Sequence, residues 1–190
     1  MTPQPPSSTP SRQVKLTVAI FLAIFLIGAS IFLALGGPTQ IAALPGIFGT
    51  RANLFSDLNL IAQIVLLLGL CVGMVFAWRG NIPAHQYNQT AWVLFNIVLT
   101  IFIMAVAYAE YVLPGLPGAL SQARGFVATI HAALGLLAIF CGVYLILRMN
   151  QIIPKRWRVK WWKNLMRLTL GLYLLVGLLG LGIYYFWYIR

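Results

Sequence analysis

The stretch Thr100–Pro114, TIFIMAVAYAEYVLP, decides the fold of this chain. It is an apolar run with helical periodicity that carries a carboxylate, Glu110, near its end. A carboxylate inside an apolar segment is costly unless it faces a partner or water. Counting back in helical steps, Thr100 and Asn96 fall on the same face as Glu110. The stretch therefore predicts a membrane-embedded helix whose polar face turns into a helical bundle.

The composition of the chain indicates an integral membrane protein. Hydrophobic residues make up 61% of the 190 residues and charged residues 8%, and the mean hydropathy is +0.90. Soluble domains of this length are far less apolar. In a soluble chain the formal net charge of +11 would favour nucleic acid, but in a membrane protein it is typical of basic loops that meet anionic lipid. We therefore expect the lipid bilayer, and no nucleic acid, as a partner.

Five apolar segments are long enough to cross a bilayer as helices. The predicted fold class is an all-α integral membrane bundle of five transmembrane helices, formed by one membrane domain over residues 14–190. The predicted spans are residues 14–35, 57–78, 89–113, 125–147 and 166–189. A Pro- and Ser-rich tail, residues 1–13, is predicted to be flexible. Residues 79–88, which include His85, are predicted to form a polar loop.

Basic residues are concentrated on one side of this five-span topology. The positive-inside rule places that side and the N-terminus in the cytoplasm, and the C-terminus outside, so we expect a bacterial cytoplasmic (inner) membrane protein. The densest cluster mixes lysine and arginine with tryptophan, which suits the headgroup layer of a bilayer. The predicted lipid-binding residues are Lys155, Arg156, Trp157, Arg158, Lys160, Trp161, Trp162 and Lys163.

The polar residues inside the spans are predicted to form one buried network in the outward half of the bundle. Glu110 and His131 fall at similar depth on consecutive antiparallel helices, so that each can satisfy the other. The predicted members are Asp57, Asn59, Gln63, Glu110, Tyr108, His131 and Tyr184. In this interpretation the network stabilises the bundle and performs no chemistry.

Other interpretations of these polar groups stay open. His131 and Glu110 are the candidates for a metal site, to which Asp57 would add a third ligand of a suitable type. A haem held by both histidines is disfavoured because His85 falls on the opposite side of the membrane, whereas haem or copper on His131 alone is left open. A proton relay along the face of Glu110 lacks a second carboxylate. No nucleophile motif or Gly-rich phosphate loop is present, so we expect no enzyme and assign no cofactor.

Short motifs over residues 50–190 carry a family resemblance. They are Asp57-Leu-Asn59-Leu at the start of a span, Arg79-Gly80 to His85, His131-Ala-Ala-Leu, and the last-span pattern Arg167-Leu-Thr169 to Tyr173, Gly180 and Tyr184. This set resembles a family of small bacterial multi-span membrane proteins of unknown function associated with haem-copper oxidases. One class of that family acts as an assembly factor for cytochrome oxidase. This chain has Tyr108 and Glu110 where the family has a histidine late in the third span, and Gly171 in place of a proline.

The resemblance implies a non-catalytic accessory or assembly protein for a respiratory haem-copper oxidase, with other membrane subunits as partners. A stable structural subunit of a larger respiratory or photosynthetic electron-transfer complex is the first alternative. A haem- or metal-binding membrane protein that uses His131 is the second. Closely spaced glycines, Gly69 with Gly73 and Gly177 with Gly180, would let neighbouring helices approach and are consistent with either association role.

Overall fold

The computed structural model describes residues 44–190 of the chain. Four helical segments in this part are long and apolar enough to cross a membrane. The predicted all-α class is therefore confirmed for the described residues, and their four long apolar helices are compatible with a membrane bundle. The first predicted span, residues 14–35, and the predicted tail, residues 1–13, lie outside the described part, so the total of five spans stays a prediction.

The described residues form long helical segments that are joined by short connections. The elements are α1 (Leu54–Trp78), α2 (Ile82–Leu99), a π-helical turn (Thr100–Met104), α3 (Ala105–Tyr111), α4 (Ala123–Met149), α5 (Trp162–Tyr184) and a second π-helical turn (Tyr185–Ile189). The connections contain the 3-10 turns Leu113–Gly115, Gly118–Ser121 and Lys155–Trp157. α2 and α3 together make one spanning segment, Ile82–Gly115, and α5 continues into the span Trp162–Ile189.

The four spanning segments alternate in direction and close into a ring. α1 packs against α2, α2 against α4, α4 against α5, and α5 back against α1. At one end Asp57 of α1 bonds Tyr184 of α5, and at the other Gln86 of α2 bonds the Met149 carbonyl of α4. We call these the Asp57 end and the basic end. The basic end carries the connections of residues 79–81 and 150–161.

The centre of the ring is apolar, and so is much of its outer surface. The central buried side chains come from all four long helices: Leu66, Leu70, Val93, Leu99, Ala138 and Tyr173. Large apolar side chains also point outward, and Leu68 is 62% and Phe140 65% exposed. Acyl chains are as apolar as these side chains, so burying them between helices gains little from the hydrophobic effect. Close packing and polar contacts between helices therefore stabilise the bundle.

α1 and α2 approach each other closely because α1 carries two glycines. A Cβ on Gly69 would overlap the indole of Trp92, and a Cβ on Gly73 would overlap the side-chain amides of Asn88 and Gln89. The close approach also lets the Asn88 amide donate a 2.7 Å hydrogen bond to the Gly69 carbonyl. α2 is thus the neighbouring helix that the glycine spacing in the sequence predicts.

The start of α2 corrects the sequence prediction, because the expected loop of residues 79–88 is largely helical. Asn81 caps the helix, and its side-chain oxygen accepts a 3.2 Å hydrogen bond from the Ala84 amide. Pro83 lies in the first turn, where the helix does not need its missing N–H. These local start signals outweigh the polarity of the segment. His85 consequently lies on a membrane-spanning helix and not in a loop.

The π-helical turn Thr100–Met104 interrupts the stretch on which the predicted polar face depended. A π turn adds one residue to a helix, which rotates the residues beyond it by about 100° around the axis. Asn96, before the turn, is buried, whereas Glu110, beyond the turn, is exposed. The predicted polar face therefore does not continue along the whole segment.

Candidate functional site

A pocket of about 390 Å³ opens at the basic end of the bundle. Pockets of this size typically have apolar walls and a few polar groups that fix the orientation of a ligand. All four long helices contribute to its wall: Leu70, Met74, Ala77, Trp78, His85, Gln89, Val93, Gly142, Leu145, Ile146, Met149, Trp162, Lys163, Met166, Arg167, Thr169, Leu170 and Tyr173.

The pocket is cationic and aromatic at its mouth and mainly apolar at its floor. Trp162 and Lys163 begin α5, and Trp78 ends α1, so these side chains lie at the level of the basic end. Gly142 and Tyr173 lie further into the bundle, where the Tyr173 hydroxyl is 2.8 Å from the position that a Cβ on Gly142 would take. This gradient matches a ligand with a polar head and an apolar chain.

His85 contributes a buried imidazole ring to the pocket, with only 6% of its surface exposed. Its Nδ1 lies 2.7 Å from the carbonyl oxygen of Gly73. A carbonyl oxygen only accepts hydrogen bonds, so we assign the proton of the neutral ring to Nδ1. Nε2 has no hydrogen-bond partner within residues 44–190. The neutral ring therefore holds a free acceptor lone pair in an orientation that the backbone of α1 fixes.

Two cationic side chains line the α5 side of the mouth, and no carboxylate of the chain lies at that end. Lys163 and Arg167, one turn apart on α5, both line the pocket and are exposed. The two acidic residues of the chain, Asp57 and Glu110, lie toward the opposite end of the bundle. The mouth is therefore positively charged, which favours an anionic group at the headgroup level.

Arg148, at the end of α4, adds to this cationic surface. Its guanidinium lies 5.2 Å from the ring centroid of Trp162, and the ammonium of Lys163 lies 5.9 Å from the same centroid. In the described part of the chain, Nη1 of Arg148 is buried without a hydrogen-bond partner. An unpaired buried donor is costly, but Arg148 is absent from the pocket wall and reaches the mouth only through its contact with Trp162.

Of the predicted lipid-binding residues, Trp162 and Lys163 line the pocket directly. Tyr144 of α4 fixes the connection, because its hydroxyl donates to the Trp157 carbonyl at 3.0 Å and accepts from the Val159 amide at 2.8 Å. The remaining members lie on the connection itself: Lys155, Arg156, Arg158, Lys160 and Trp161. Tyr144 thus holds the connection that carries these residues against α4.

The predicted polar network divides into separate places, of which the surroundings of Asp57 are the most extensive. Asp57 is fully buried. Its Oδ2 accepts hydrogen bonds from the amides of Ile47 and Phe48 at 2.6 and 3.0 Å, and its Oδ1 accepts one from the Tyr184 hydroxyl at 2.5 Å. The carboxylate thereby anchors the loop of residues 44–53 and the end of α5 to the start of α1.

Further hydrogen bonds close the Asp57 end. The Tyr184 hydroxyl also lies 3.1 Å from the Thr50 hydroxyl. Ser56 donates to the Tyr188 hydroxyl at 2.9 Å, and the Arg51 amide donates to the Tyr188 carbonyl at 3.2 Å. Because protein groups supply these donors and acceptors, we interpret the Asp57 end as a structural clamp.

The predicted pairing of Glu110 with His131 is not seen in the described residues. Glu110 is exposed beyond the π-helical turn, whereas the ring of His131 turns toward α5 and lies beside Gly180. Nδ1 of His131 is buried, and residues 44–190 provide no hydrogen-bond partner for it. The Tyr108 hydroxyl is 3.1 Å from the Thr129 hydroxyl instead. The rotation at the π turn is the physical reason for this separation.

The other two predicted members, Asn59 and Gln63, lie on α1. Asn59 Oδ1 and Gln63 Nε2 are buried atoms without a hydrogen-bond partner in the part of the chain that the structure describes. Gln63 lines a small cavity of about 20 Å³ together with Asn96, Thr100 and Tyr173. A polar cavity of this volume has room for about one water molecule.

The candidate metal and haem ligands of the sequence are distributed over the bundle. Between residues 44 and 190, no three His, Cys, Asp or Glu side chains come together as metal ligands. His85 contacts Gly73 near the basic end, and His131 lies beside Gly180 near the Asp57 end. The two histidines therefore lie in opposite halves of the bundle and do not face one haem.

Comparison with known proteins gave no relative: no protein-family model, curated protein or solved structure matches this chain. The resemblance to proteins associated with haem-copper oxidases therefore depends on the short sequence motifs alone. A function for the chain has to be inferred from the pocket and the charges around it.

The sequence predictions did not include His85 among the site residues. The signal that would have found it is the helix start Asn81-Ile-Pro83, an N-cap residue followed by a proline in the first turn. A helix from that point places His85, Asn88 and Gln89 on one face. The structure packs that face against the glycine-containing face of α1.

Proposed function

We propose that this chain is a non-catalytic integral membrane protein that binds an anionic, lipid-like ligand in the pocket at its basic end. The observation that carries this proposal is the position of His85, whose ring is buried in the pocket wall and oriented by Gly73. Its Nε2 lacks a hydrogen-bond partner among residues 44–190. A buried polar atom without a partner costs about 1–3 kcal/mol, which a bound ligand would offset.

The lining of the pocket supports a ligand with an anionic head and an apolar chain. Lys163 and Arg167 supply positive charge at the mouth, and Leu70 and Val93 supply apolar surface deeper in the bundle. Trp162 lies at the same level as the cationic groups, as tryptophan does at the headgroup layer of a bilayer. Ligands with these two parts are abundant in the surrounding membrane.

The experiment compares two alanine-to-phenylalanine variants. Ala77 lines the pocket, whereas Ala133 is exposed on α4 and is absent from the pocket wall. We expect Ala77→Phe to reduce the affinity for phosphatidylglycerol about tenfold, which corresponds to about 1.4 kcal/mol. Ala133→Phe should leave it within about twofold by the same conversion. Native mass spectrometry of delipidated protein, titrated with phosphatidylglycerol, measures both. Equal affinities would contradict the proposed function.

We further propose that ligand binding serves an accessory or assembly role beside a respiratory haem-copper oxidase. The family resemblance of the motifs around Asp57, His131 and Arg167 supports this role. A stable structural subunit of a larger electron-transfer complex is the alternative. Purification in a gentle detergent separates the two, because a subunit comigrates with the complex in fixed stoichiometry and an assembly factor does not.

We also propose that the protein lies in a bacterial inner membrane with its basic end toward the cytoplasm. The support is the contrast between the two ends of the bundle: the basic end carries the block from Lys155 to Lys163, and the opposite end carries both acidic residues. Lysine and arginine favour the cytoplasmic side of a membrane. This orientation would bring the mouth of the pocket to the anionic cytoplasmic leaflet.

A further inference from the structure

We infer that the pocket selects an anionic lipid whose headgroup carries a free hydroxyl, and that Nε2 of His85 accepts a hydrogen bond from that hydroxyl. This inference rests on the proposed function, since it names the class of ligand for the same pocket. Charge alone cannot discriminate between two lipids of equal charge. The inference assigns that discrimination to Nε2 of His85.

The hydrogen bond between His85 and Gly73 determines which ring nitrogen is left as an acceptor. Its Nδ1 faces the Gly73 carbonyl at 2.7 Å and must donate, which leaves Nε2 of the neutral ring as an acceptor. An ionised phosphodiester has only acceptor oxygens and cannot satisfy Nε2. A hydroxyl group donates one hydrogen bond, so a hydroxyl on the ligand supplies the missing partner.

The cationic groups of the pocket lie near the level of His85. Lys163 lies in the first turn of α5, and His85 lies in the first turn of α2, so that both are at the basic end of the bundle. Arg167 lies one helical turn further along α5, and all three side chains line the same pocket. A phosphodiester paired with Lys163 and Arg167 therefore brings its headgroup to the level of His85. Charge-assisted hydrogen bonds from lysine and arginine suit a phosphate.

The apolar floor of the pocket distinguishes a lipid from a soluble phosphate. The pocket continues past the polar groups to Leu70, Val93 and Tyr173, which lie in the apolar centre of the ring. A soluble glycerol phosphate would leave these apolar walls without contacts, whereas an acyl chain covers them. The shared chemistry is thus a phosphate with a neighbouring hydroxyl, and the apolar floor favours the source that carries a chain.

The test uses two lipids of equal charge and identical acyl chains. Phosphatidylglycerol carries hydroxyls on its headgroup, and phosphatidylpropanol lacks them. We expect the wild-type protein to bind phosphatidylglycerol about fivefold more tightly, the difference expected for one hydrogen bond. In His85→Phe that ratio should fall to about one.

Lys163→Gln should weaken the binding of both lipids by about the same factor, roughly fivefold, and leave their ratio unchanged. Soluble glycerol 3-phosphate, added as competitor at equal concentration, should displace neither lipid.

The possible results separate this inference from the proposed function. If the wild-type protein binds the two lipids equally while Ala77→Phe still weakens both, the role of the hydroxyl is overturned and the pocket function stands. If Ala77→Phe affects neither lipid, the proposed function itself is wrong. Displacement by glycerol 3-phosphate would overturn the assignment to a lipid. Should His85→Phe fail to fold, the wild-type ratio still decides, and His85→Gln, which retains an acceptor oxygen, should keep part of the preference.

Discussion

The Tyr184 hydroxyl donates a 2.5 Å hydrogen bond to Oδ1 of Asp57 and so ties the end of α5 to the start of α1. The amides of Ile47 and Phe48 donate to the other oxygen of the same carboxylate. A buried carboxylate is stable only while it accepts hydrogen bonds, and its donors lose an acceptor without it. These groups therefore act as one unit. This unit closes the ring of helices at the Asp57 end.

Removal of the Asp57 carboxylate should destabilise the protein strongly. Asp57→Leu takes the acceptor from the Ile47 and Phe48 amides and leaves the Tyr184 hydroxyl with Thr50 alone, so we expect the free energy of unfolding to fall by about 3 kcal/mol. Glu110→Leu removes the other carboxylate of the chain, which is exposed, and should change it by less than about 0.5 kcal/mol. Unfolding in detergent measures both variants. A Glu110→Leu effect as large as that of Asp57→Leu would contradict the separation of Glu110 from the buried polar groups.

The coupling between Asp57 and Tyr184 should be measurable in a double-mutant cycle. Tyr184→Phe removes the donor of this hydrogen bond and Asp57→Asn removes the charge of its acceptor, so we expect a coupling energy of about 1–3 kcal/mol. The matched control pairs Asp57→Asn with Tyr185→Phe, because Tyr185 is 49% exposed on the adjacent turn. That pair should be additive within about 0.5 kcal/mol. Equal coupling in the two cycles would show that the contact is not specific.

The close packing of α1 on α2 predicts a penalty for a single methyl group. Gly69→Ala places its Cβ against the Trp92 indole and should destabilise the protein by about 1–3 kcal/mol. Gly171→Ala is the control, since a Cβ there meets no atom of the described residues within 4 Å. It should be neutral or stabilise α5 by up to about 1 kcal/mol. Thermal unfolding in detergent measures both variants. Equal changes in stability for Gly69→Ala and Gly171→Ala would contradict the close packing at Gly69.

The proposed orientation predicts opposite accessibility for the two ends of the bundle. Single cysteines at Ser121 and Lys155 report the Asp57 end and the basic end, respectively, after Cys71 and Cys141 are replaced by alanine. A membrane-impermeant thiol reagent added to intact spheroplasts should label position 121 at once. Position 155 should react only after permeabilisation. Labelling of position 155 but not of position 121 in intact spheroplasts would place the basic end outside and contradict the proposed topology.

The membrane class and the four described spans could be predicted from the sequence, because long apolar runs leave a chain few alternatives in a bilayer. The start of α2 could also be predicted from the sequence, since Asn81 and Pro83 are local signals of a helix N-terminus. The polarity of residues 79–88 favours a loop and competes with those signals, which is why the sequence prediction places His85 in a loop. The glycines of α1 indicated a close helix neighbour but could not identify α2.

The positions of Glu110 and Asp57 illustrate what the sequence could not show. A single α-helical period across Thr100–Met104 places Glu110 on the buried face, but the π turn there depends on packing in three dimensions and has no sequence signature of its own. The partners of Asp57 include backbone amides of Ile47 and Phe48. Such donors become visible only when the path of the loop is known. Tyr184, a side chain, could be placed in the same network from the sequence.

The nitrogen-15 NMR spectrum of His85 tests the central claim, a ligand-filled pocket at the basic end, most directly. The chain has two histidines, so His131→Gln leaves His85 as the only source of imidazole signals. We predict a protonated Nδ1 and an unprotonated Nε2, and a saturable change of the Nε2 resonance as phosphatidylglycerol is added. Phosphatidylcholine with the same acyl chains should leave that resonance in place. An Nε2 signal that does not respond to phosphatidylglycerol, in protein that binds this lipid, would contradict the account.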